Sequence, residues 1–147
     1  MFKNILVPTD GSELSDSTVE RAISFAKDAG ARITFFYAQP DFPTPLYGEG
    51  ALFDPTTPEQ FSKTATTETE KILTHYNTST TAAKIESNGD TIVSKVPFKT
   101  IITTTQRNGN DLIFMTSHGR RGLSGLLLGS ETQKVLTHSK IPVLVYR

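Results

Sequence analysis

The 147-residue chain has no cysteine, no tryptophan and no net charge, because fifteen basic side chains balance fifteen acidic ones. The absence of cysteine excludes disulfide bonds and cysteine-ligated zinc or iron–sulfur sites. The neutral balance argues against binding of nucleic acid through bulk electrostatics, since domains of that kind are strongly basic. The start of the sequence has the pattern of neither a signal peptide nor a membrane span. We therefore expect a cytoplasmic protein with no nucleic-acid or membrane partner.

Apolar segments and helical periods alternate along the chain. Strands are predicted at residues 4–9, 33–38, 82–86, 111–116 and 142–146. Helices are predicted before a stop at Gly30, from Thr57 to a polar turn at 77–81, from Pro97 to about 108, and at 130–139. Such alternation predicts parallel strands with right-handed crossovers. We expect one α/β domain over residues 1–147, in which an open five-stranded parallel sheet of order 3-2-1-4-5 carries helices on both faces.

Proline and glycine recur between the second strand and the second helix. Six of these residues fall within 39–56, which predicts a long loop, and loops of that length are usually functional. The helix after the loop has a clear start signal. Thr57 is the expected N-cap, Pro58 occupies the first turn, and Gln60 lies three residues after the cap, as in a capping box.

Two irregular segments follow the strands that should flank the reversal of winding direction. Residues 8–12 follow strand 1 and residues 116–122 follow strand 4, and ligands bind parallel sheets at this position. Downstream, Ser130 and Gln133 fit a capping pair, and Gly129 permits close approach of a ligand. The first-turn amides of this helix predict an anion site. Residues 116–147 also hold five basic side chains and one acidic side chain, which favours a small anionic ligand.

Several phosphate and hydrolase motifs are missing. No G-x-G-x-x-G follows the first strand, the stretch from Gly125 to Ser130 lacks the lysine and spacing of a P-loop, and no G-x-S-x-G occurs. A dinucleotide site, a P-loop site and a serine-hydrolase elbow are therefore not expected. A different nucleotide-binding pattern remains.

The sequence resembles the universal stress protein family over essentially its whole length. The resemblance rests on ILVPTDGS at 5–12, DLIFMTSHGRRG at 111–122, GSETQKVL at 129–136 and IPVLVYR at 141–147. The nucleotide-binding branch of the family carries G-x-x-G, nine residues, then G-[ST]. Gly119, nine further residues and Gly129-Ser130 match the later part of this motif, whereas Thr116 replaces its first glycine. The resemblance implies the five-stranded fold and an adenine nucleotide, ATP or AMP, as the ligand.

Carried over by position, the resemblance also implies which residues form the site. Its members are Pro8, Thr9 and Asp10 beside adenosine and ribose, Ala38 offering backbone bonds to adenine, Met115 and Thr116 at the pocket floor, and Gly119, Gly129, Ser130 and Glu131 at the phosphates. A Mg²⁺ or Mn²⁺ ion, if bound, would bridge phosphate oxygens near Asp10. No catalytic residue is predicted.

Three functions stay open at this point. The first is a stress-response regulator or sensor that binds an adenine nucleotide. The second is a slow ATPase or self-phosphorylating enzyme, and the third is a dimeric interaction protein that has lost nucleotide binding, which Thr116 favours. The apolar closing segment Pro142 to Arg147 is expected at a sheet edge, where pairing with a second copy would give a homodimer. The resemblance implies a homodimer as well.

Overall fold

The computed structural model describes residues 1–43, 57–118 and 128–147. Within these ranges the strands are β1 (Asn4–Pro8), β2 (Arg32–Pro40), β3 (Ser87–Ser94), β4 (Leu112–Thr116) and β5 (Val143–Tyr146). The helices are α1 (Glu13–Ala29), α2 (Pro58–Ala82), α3 (Pro97–Arg107) and α4 (Ser130–His138). None of the helices in these ranges is both long enough and apolar enough to cross a membrane.

The five strands form one parallel sheet of order β3-β2-β1-β4-β5, which confirms the predicted topology. Side chains alternate across the sheet. On one face, Ile5, Val7 and Phe35 pack with residues of α1 and α2. On the other face, Leu6 and Phe36 pack with residues of α3 and α4. Strand β1 therefore lies at the centre of a three-layer domain, and its carboxyl end lies beside that of β4.

Two predicted helix signals are confirmed. Gly30 ends α1 with φ of 61°, the left-handed conformation that glycine adopts without a steric penalty. At the start of α2, the Thr57 hydroxyl accepts from the Gln60 amide, and the Gln60 side chain accepts from the Thr57 amide. This reciprocal pair is the expected capping box.

The predicted turn at 77–81 and strand at 82–86 are wrong, because α2 continues to Ala82 and β3 begins at Ser87. The threonine hydroxyls of this stretch bond inside the helix: Thr78 donates to the Thr74 carbonyl at 2.9 Å and Thr81 donates to the Asn77 carbonyl at 2.9 Å. These bonds satisfy polar side chains that usually favour turns. Strand β3 is a largely polar edge strand, so it lacks the apolar run that marks a buried strand.

Two other boundaries also differ from the prediction. Strand β2 extends to Pro40, so Gln39 and Pro40 pair with β3 and do not belong to the loop, whose residues 44–56 lie outside the described part of the chain. Helix α4 has Gly129 as its N-cap and no side-chain cap, so the expected capping by Ser130 is wrong. Gln133 instead donates through its side-chain amide to the Leu128 carbonyl at 3.1 Å.

Candidate functional site

A cavity of about 510 Å³ opens at the carboxyl ends of β1, β2 and β4. Nine of the ten residues predicted to form a site line this cavity: Pro8, Thr9, Asp10, Ala38, Met115, Thr116, Gly129, Ser130 and Glu131. The tenth, Gly119, lies outside the described residues. The fold therefore brings together residues from four separate parts of the sequence, although their roles toward a ligand stay predictions.

The turn between β1 and α1 forms one side of the cavity, and Asp10 organises it. The Asp10 Oδ1 atom accepts from the Ser12 amide at 3.0 Å and from the Ser15 hydroxyl at 2.9 Å. Gly11, between them, has φ of 71°, which favours glycine. Asp10 thus holds the turn as well as lining the cavity, which combines the turn role usual for aspartate with a position at the site.

A chain of hydrogen bonds behind this turn connects it to α2. The Thr9 hydroxyl donates to the Tyr76 hydroxyl at 3.1 Å, and Tyr76 donates to Asp16 Oδ1 at 2.6 Å. The Thr9 hydroxyl also accepts from the Gly11 amide at 3.3 Å. Burial and the bond to the Asp16 carboxylate raise the pKa of Tyr76. Tyr76 therefore stays protonated and donates to Asp16 at neutral pH.

The end of β4 and the start of α4 form the opposite side. Thr116, which stands where the family motif has glycine, is buried, and its hydroxyl accepts from the His118 amide at 3.4 Å. The Thr116 carbonyl accepts from the Thr132 hydroxyl at 3.0 Å. The Gly129 amide donates to the Ser117 carbonyl at 2.7 Å. The Gly129 amide therefore has an acceptor already and is not one of the groups left for a phosphate.

The first turn of α4 carries the amides that remain. Ser130, Glu131 and Thr132 line the cavity, and within the described ranges their amides have no hydrogen-bond acceptor. The Glu131 side chain bonds to other parts of the protein. Its Oε2 accepts from the Phe98 amide at the start of α3 at 2.8 Å, and its Oε1 lies 3.0 Å from Lys134 Nζ. Glu131 therefore caps α3, whose own N-cap residue makes no side-chain bond.

Seven cavity residues were not predicted from the sequence: Ser15, Phe36, Tyr37, Pro40, Pro97, Ile101 and Thr132. Most of them give the cavity apolar walls. Pro97 and Ile101 come from α3, a helix that sequence spacing does not connect with the glycine-rich motif. Ser15 and Thr132 are each the third residue of a helix, three positions after Ser12 and Gly129 of the predicted segments, so the i, i+3 spacing of helical neighbours is the signal that could have found them.

Comparison with known proteins identifies the family. The profile described as "Universal stress protein family" matches residues 1–147. The chain belongs to the universal stress protein family. Among curated members, Universal stress protein MJ0531 of Methanocaldococcus jannaschii is 28% identical over 150 residues, which cover 100% of this chain and 83% of the relative.

Solved structures of universal stress proteins share the fold. The structure of MJ0577 superposes with a TM-score of 0.79 at 24% identity, covering 99% of this chain and 95% of that one. A universal stress protein in complex with cAMP gives a TM-score of 0.70 at 22% identity, with coverages of 99% and 97%. A universal stress protein from Archaeoglobus fulgidus in complex with dAMP gives a TM-score of 0.66 at 18% identity, covering 99% of this chain and 98% of that one. At these identities the likeness shows the fold alone.

Proposed function

We propose that this universal stress protein binds an adenine nucleotide in the cavity at the carboxyl ends of β1, β2 and β4, and acts as a regulator or sensor in the stress response. The observation that carries the proposal is the meeting of nine predicted residues around one cavity. Its volume of about 510 Å³ falls within the range of small-molecule sites. Two structures of the same fold are complexes with adenine nucleotides, cAMP and dAMP.

The polarity of the cavity fits the two ends of a nucleotide. At the β1 end, the Asp10 carboxylate can only accept hydrogen bonds, and sugar hydroxyls are donors. At the α4 end, the first-turn amides and the positive end of the helix dipole favour a phosphate. Phe36, Ile101 and Met115 add apolar lining to the same cavity, which suits the faces of a base. We propose that Asp10 binds the ribose and that α4 binds the phosphate.

Thr116 is compatible with this ligand. Its hydroxyl accepts a bond from the His118 amide and its carbonyl accepts one from Thr132, so its polar groups are bonded within the protein. Thr116 lines the cavity, which keeps a volume of about 510 Å³ with this side chain present. This arrangement supports nucleotide binding over the alternative of a pure interaction protein.

A divalent ion would depend mainly on the nucleotide. Among residues 1–43, 57–118 and 128–147 no three metal-ligating side chains cluster. The Asp10 Oδ1 atom already accepts two hydrogen bonds, and both carboxylate oxygens of Glu131 are engaged with α3 and Lys134. Phosphate oxygens would therefore supply most ligands of a bound Mg²⁺ or Mn²⁺ ion.

The phosphate end is tested by Ser130→Pro, which removes the amide at the first position of α4. Proline suits this position, and Gly129 before it has φ of −60° and ψ of 149°, the extended conformation that a residue before proline prefers. Calorimetry should show wild type binding AMP, with about a tenfold loss in Ser130→Pro and little change for adenosine. Ser130→Ala is the matched control, because it removes only the hydroxyl. Absence of heat from the wild type at millimolar AMP and ATP would exclude the function.

We also propose a cytoplasmic homodimer that pairs β5 with β5 of a second copy. Strand β5 is an edge strand, and its residues Val143 to Tyr146 are partly exposed. An apolar edge strand of this kind is usually covered or paired. Sedimentation equilibrium tests the assembly, and a monomer at 100 μM would exclude it.

A further inference from the structure

The Ser15 hydroxyl forms hydrogen bonds with both the backbone and the side chain of Asp10. The Ser15 hydroxyl accepts from the Asp10 amide at 3.1 Å and donates to Asp10 Oδ1 at 2.9 Å. Ser15 is 1% exposed, so water does not replace these bonds easily. One hydroxyl therefore fixes both the backbone and the carboxylate of the residue at the proposed sugar end of the cavity.

This use of Ser15 differs from the ordinary capping of a helix. Ser15 is the third residue of α1 after the N-cap Ser12, and a polar side chain at this position usually returns to the N-cap amide. Here Asp10 Oδ1 accepts from the Ser12 amide instead. The Ser15 hydroxyl is thereby released from capping and bonds to Asp10. The cap is complete without it, because the Ser12 hydroxyl accepts from the Ser15 amide at 3.2 Å.

The bond from the Ser15 hydroxyl restricts the rotation of the Asp10 side chain, together with the bond from the Ser12 amide to the same oxygen. Asp10 lies in a turn before Gly11, where a free aspartate would sample several staggered rotamers. The Ser15 hydroxyl accepts a hydrogen bond from the Asp10 amide and donates its single proton to Asp10 Oδ1. Its capacity as a donor is therefore used within the protein. Ser15 is thus suited to hold a ligand-binding group and has no proton left to donate to a ligand.

We infer that Ser15 is a positioning residue that holds the Asp10 carboxylate in the orientation that accepts hydrogen bonds from the sugar hydroxyls of the bound nucleotide. The inference rests on the proposed function, and it makes the sugar the part of the ligand that Ser15 discriminates. A carboxylate held in advance binds a hydroxyl more tightly than one that must be ordered at binding.

The test compares AMP with 2′,3′-dideoxy-AMP, which lacks both sugar hydroxyls, by isothermal titration calorimetry. Wild type should bind AMP at least tenfold more tightly than the dideoxy nucleotide, the usual contribution of a hydrogen bond to a charged group. Ser15→Ala should weaken AMP about tenfold and leave the affinity for dideoxy-AMP unchanged. A general structural defect would instead weaken both nucleotides alike.

Three variants control the experiment. Ser12→Ala removes the helix cap but keeps the Asp10 and Ser15 side chains, so it should lower stability without changing the ratio of the two affinities. In an Asp10→Asn background, Ser15→Ala should have much less effect on AMP. Ser15→Cys keeps a similar volume with a weaker donor, and its affinity for AMP should lie between those of wild type and Ser15→Ala.

The outcomes separate this inference from the function on which it rests. If wild type binds neither nucleotide, both fail. If wild type binds both equally, or if Ser15→Ala weakens both equally, nucleotide binding stands and the positioning role is refuted. Should Ser15→Ala fail to fold, the ratio measured for Ser15→Cys decides, since a ratio equal to that of wild type refutes the role.

Discussion

Replacing Tyr76 with phenylalanine should destabilise the protein although no contact of the ring is lost. The Tyr76 hydroxyl joins three elements, because it lies on α2, donates to Asp16 of α1 at 2.6 Å and accepts from Thr9 after β1 at 3.1 Å. The ring packs against Phe35 with centroids 5.3 Å apart, and phenylalanine keeps this contact. The variant therefore isolates the hydroxyl.

The magnitude follows from the burial of the groups involved. A hydrogen bond to a charged group contributes about 1.5–3 kcal/mol, and the lower end applies because Asp16 is solvent-exposed and regains water. Thr9 is 7% exposed and loses the acceptor of its proton, which adds about 0.5–1 kcal/mol. We expect a loss of about 2 kcal/mol, and a decrease in Tm of about 4–8 °C for a domain of this size. Urea denaturation at pH 7 measures the first and calorimetry the second.

The pH dependence gives a second signature. Burial first, and then the bond to Asp16, raise the pKa of Tyr76 above its ordinary value of about 10. Above pH 10 the unfolded chain loses the tyrosine proton while the folded chain keeps it, so the contribution of this group to stability falls as pH rises. Wild type should therefore exceed Tyr76→Phe by a constant amount below about pH 9, and the difference should shrink above pH 10.

Tyr146→Phe is the matched control. Tyr146 is partly exposed and its hydroxyl accepts from Arg21 Nε at 3.4 Å, so loss of the hydroxyl should change the free energy of unfolding by less than about 0.5 kcal/mol. A loss of under 0.5 kcal/mol in Tyr76→Phe, or a difference from wild type that grows above pH 10, would refute the reasoning.

Three further changes test other contacts. Thr57→Ala removes the capping box with Gln60 and should lower the free energy of unfolding by about 1 kcal/mol, measured in urea. Glu131→Ala leaves the Phe98 amide without its acceptor and should cost about 1 kcal/mol, whereas Glu131→Gln, which keeps an acceptor oxygen, should cost less. Val145→Pro should shift a homodimer to monomer in sedimentation while Val145→Ala does not, because proline removes a backbone donor at an edge strand; an unchanged dimer would contradict pairing through β5.

The central part of the fold was predictable because its signals are apolar and local. Strands β1, β2 and β4 are buried on both faces and read as apolar runs, and Gly30 marks the end of α1. The boundary between α2 and β3 was not predictable in this way. Its threonines and serines satisfy their hydroxyls inside the helix, and β3 is polar because it lies at a sheet edge. Both features reverse the usual meaning of a polar segment.

The residues of the site also differ in whether local sequence signals predict them. Asp10 and Thr116 follow from the position of strand ends in a parallel sheet, which depends on topology alone. The bond from Glu131 to the Phe98 amide depends on how α3 and α4 pack, and no spacing in the sequence encodes it. The ring of Tyr76 packs in the core, but its hydroxyl bonds to residues 60 and 67 positions away, and no local spacing in the sequence predicts these bonds.

The aspartate after β1 has a consequence for reading related sequences. Asp10 Oδ1 accepts from the Ser12 amide, which a side chain of the first helical turn usually binds. Selection for a stable α1 would therefore retain this aspartate even in a chain that bound no ligand. An aspartate at this position is therefore poor evidence that a homologue binds a nucleotide. Ser15 is more informative, because its hydroxyl caps nothing and serves only the orientation of its neighbour. Among relatives, those that keep the aspartate but replace this serine should be the first to lose recognition of the sugar hydroxyls.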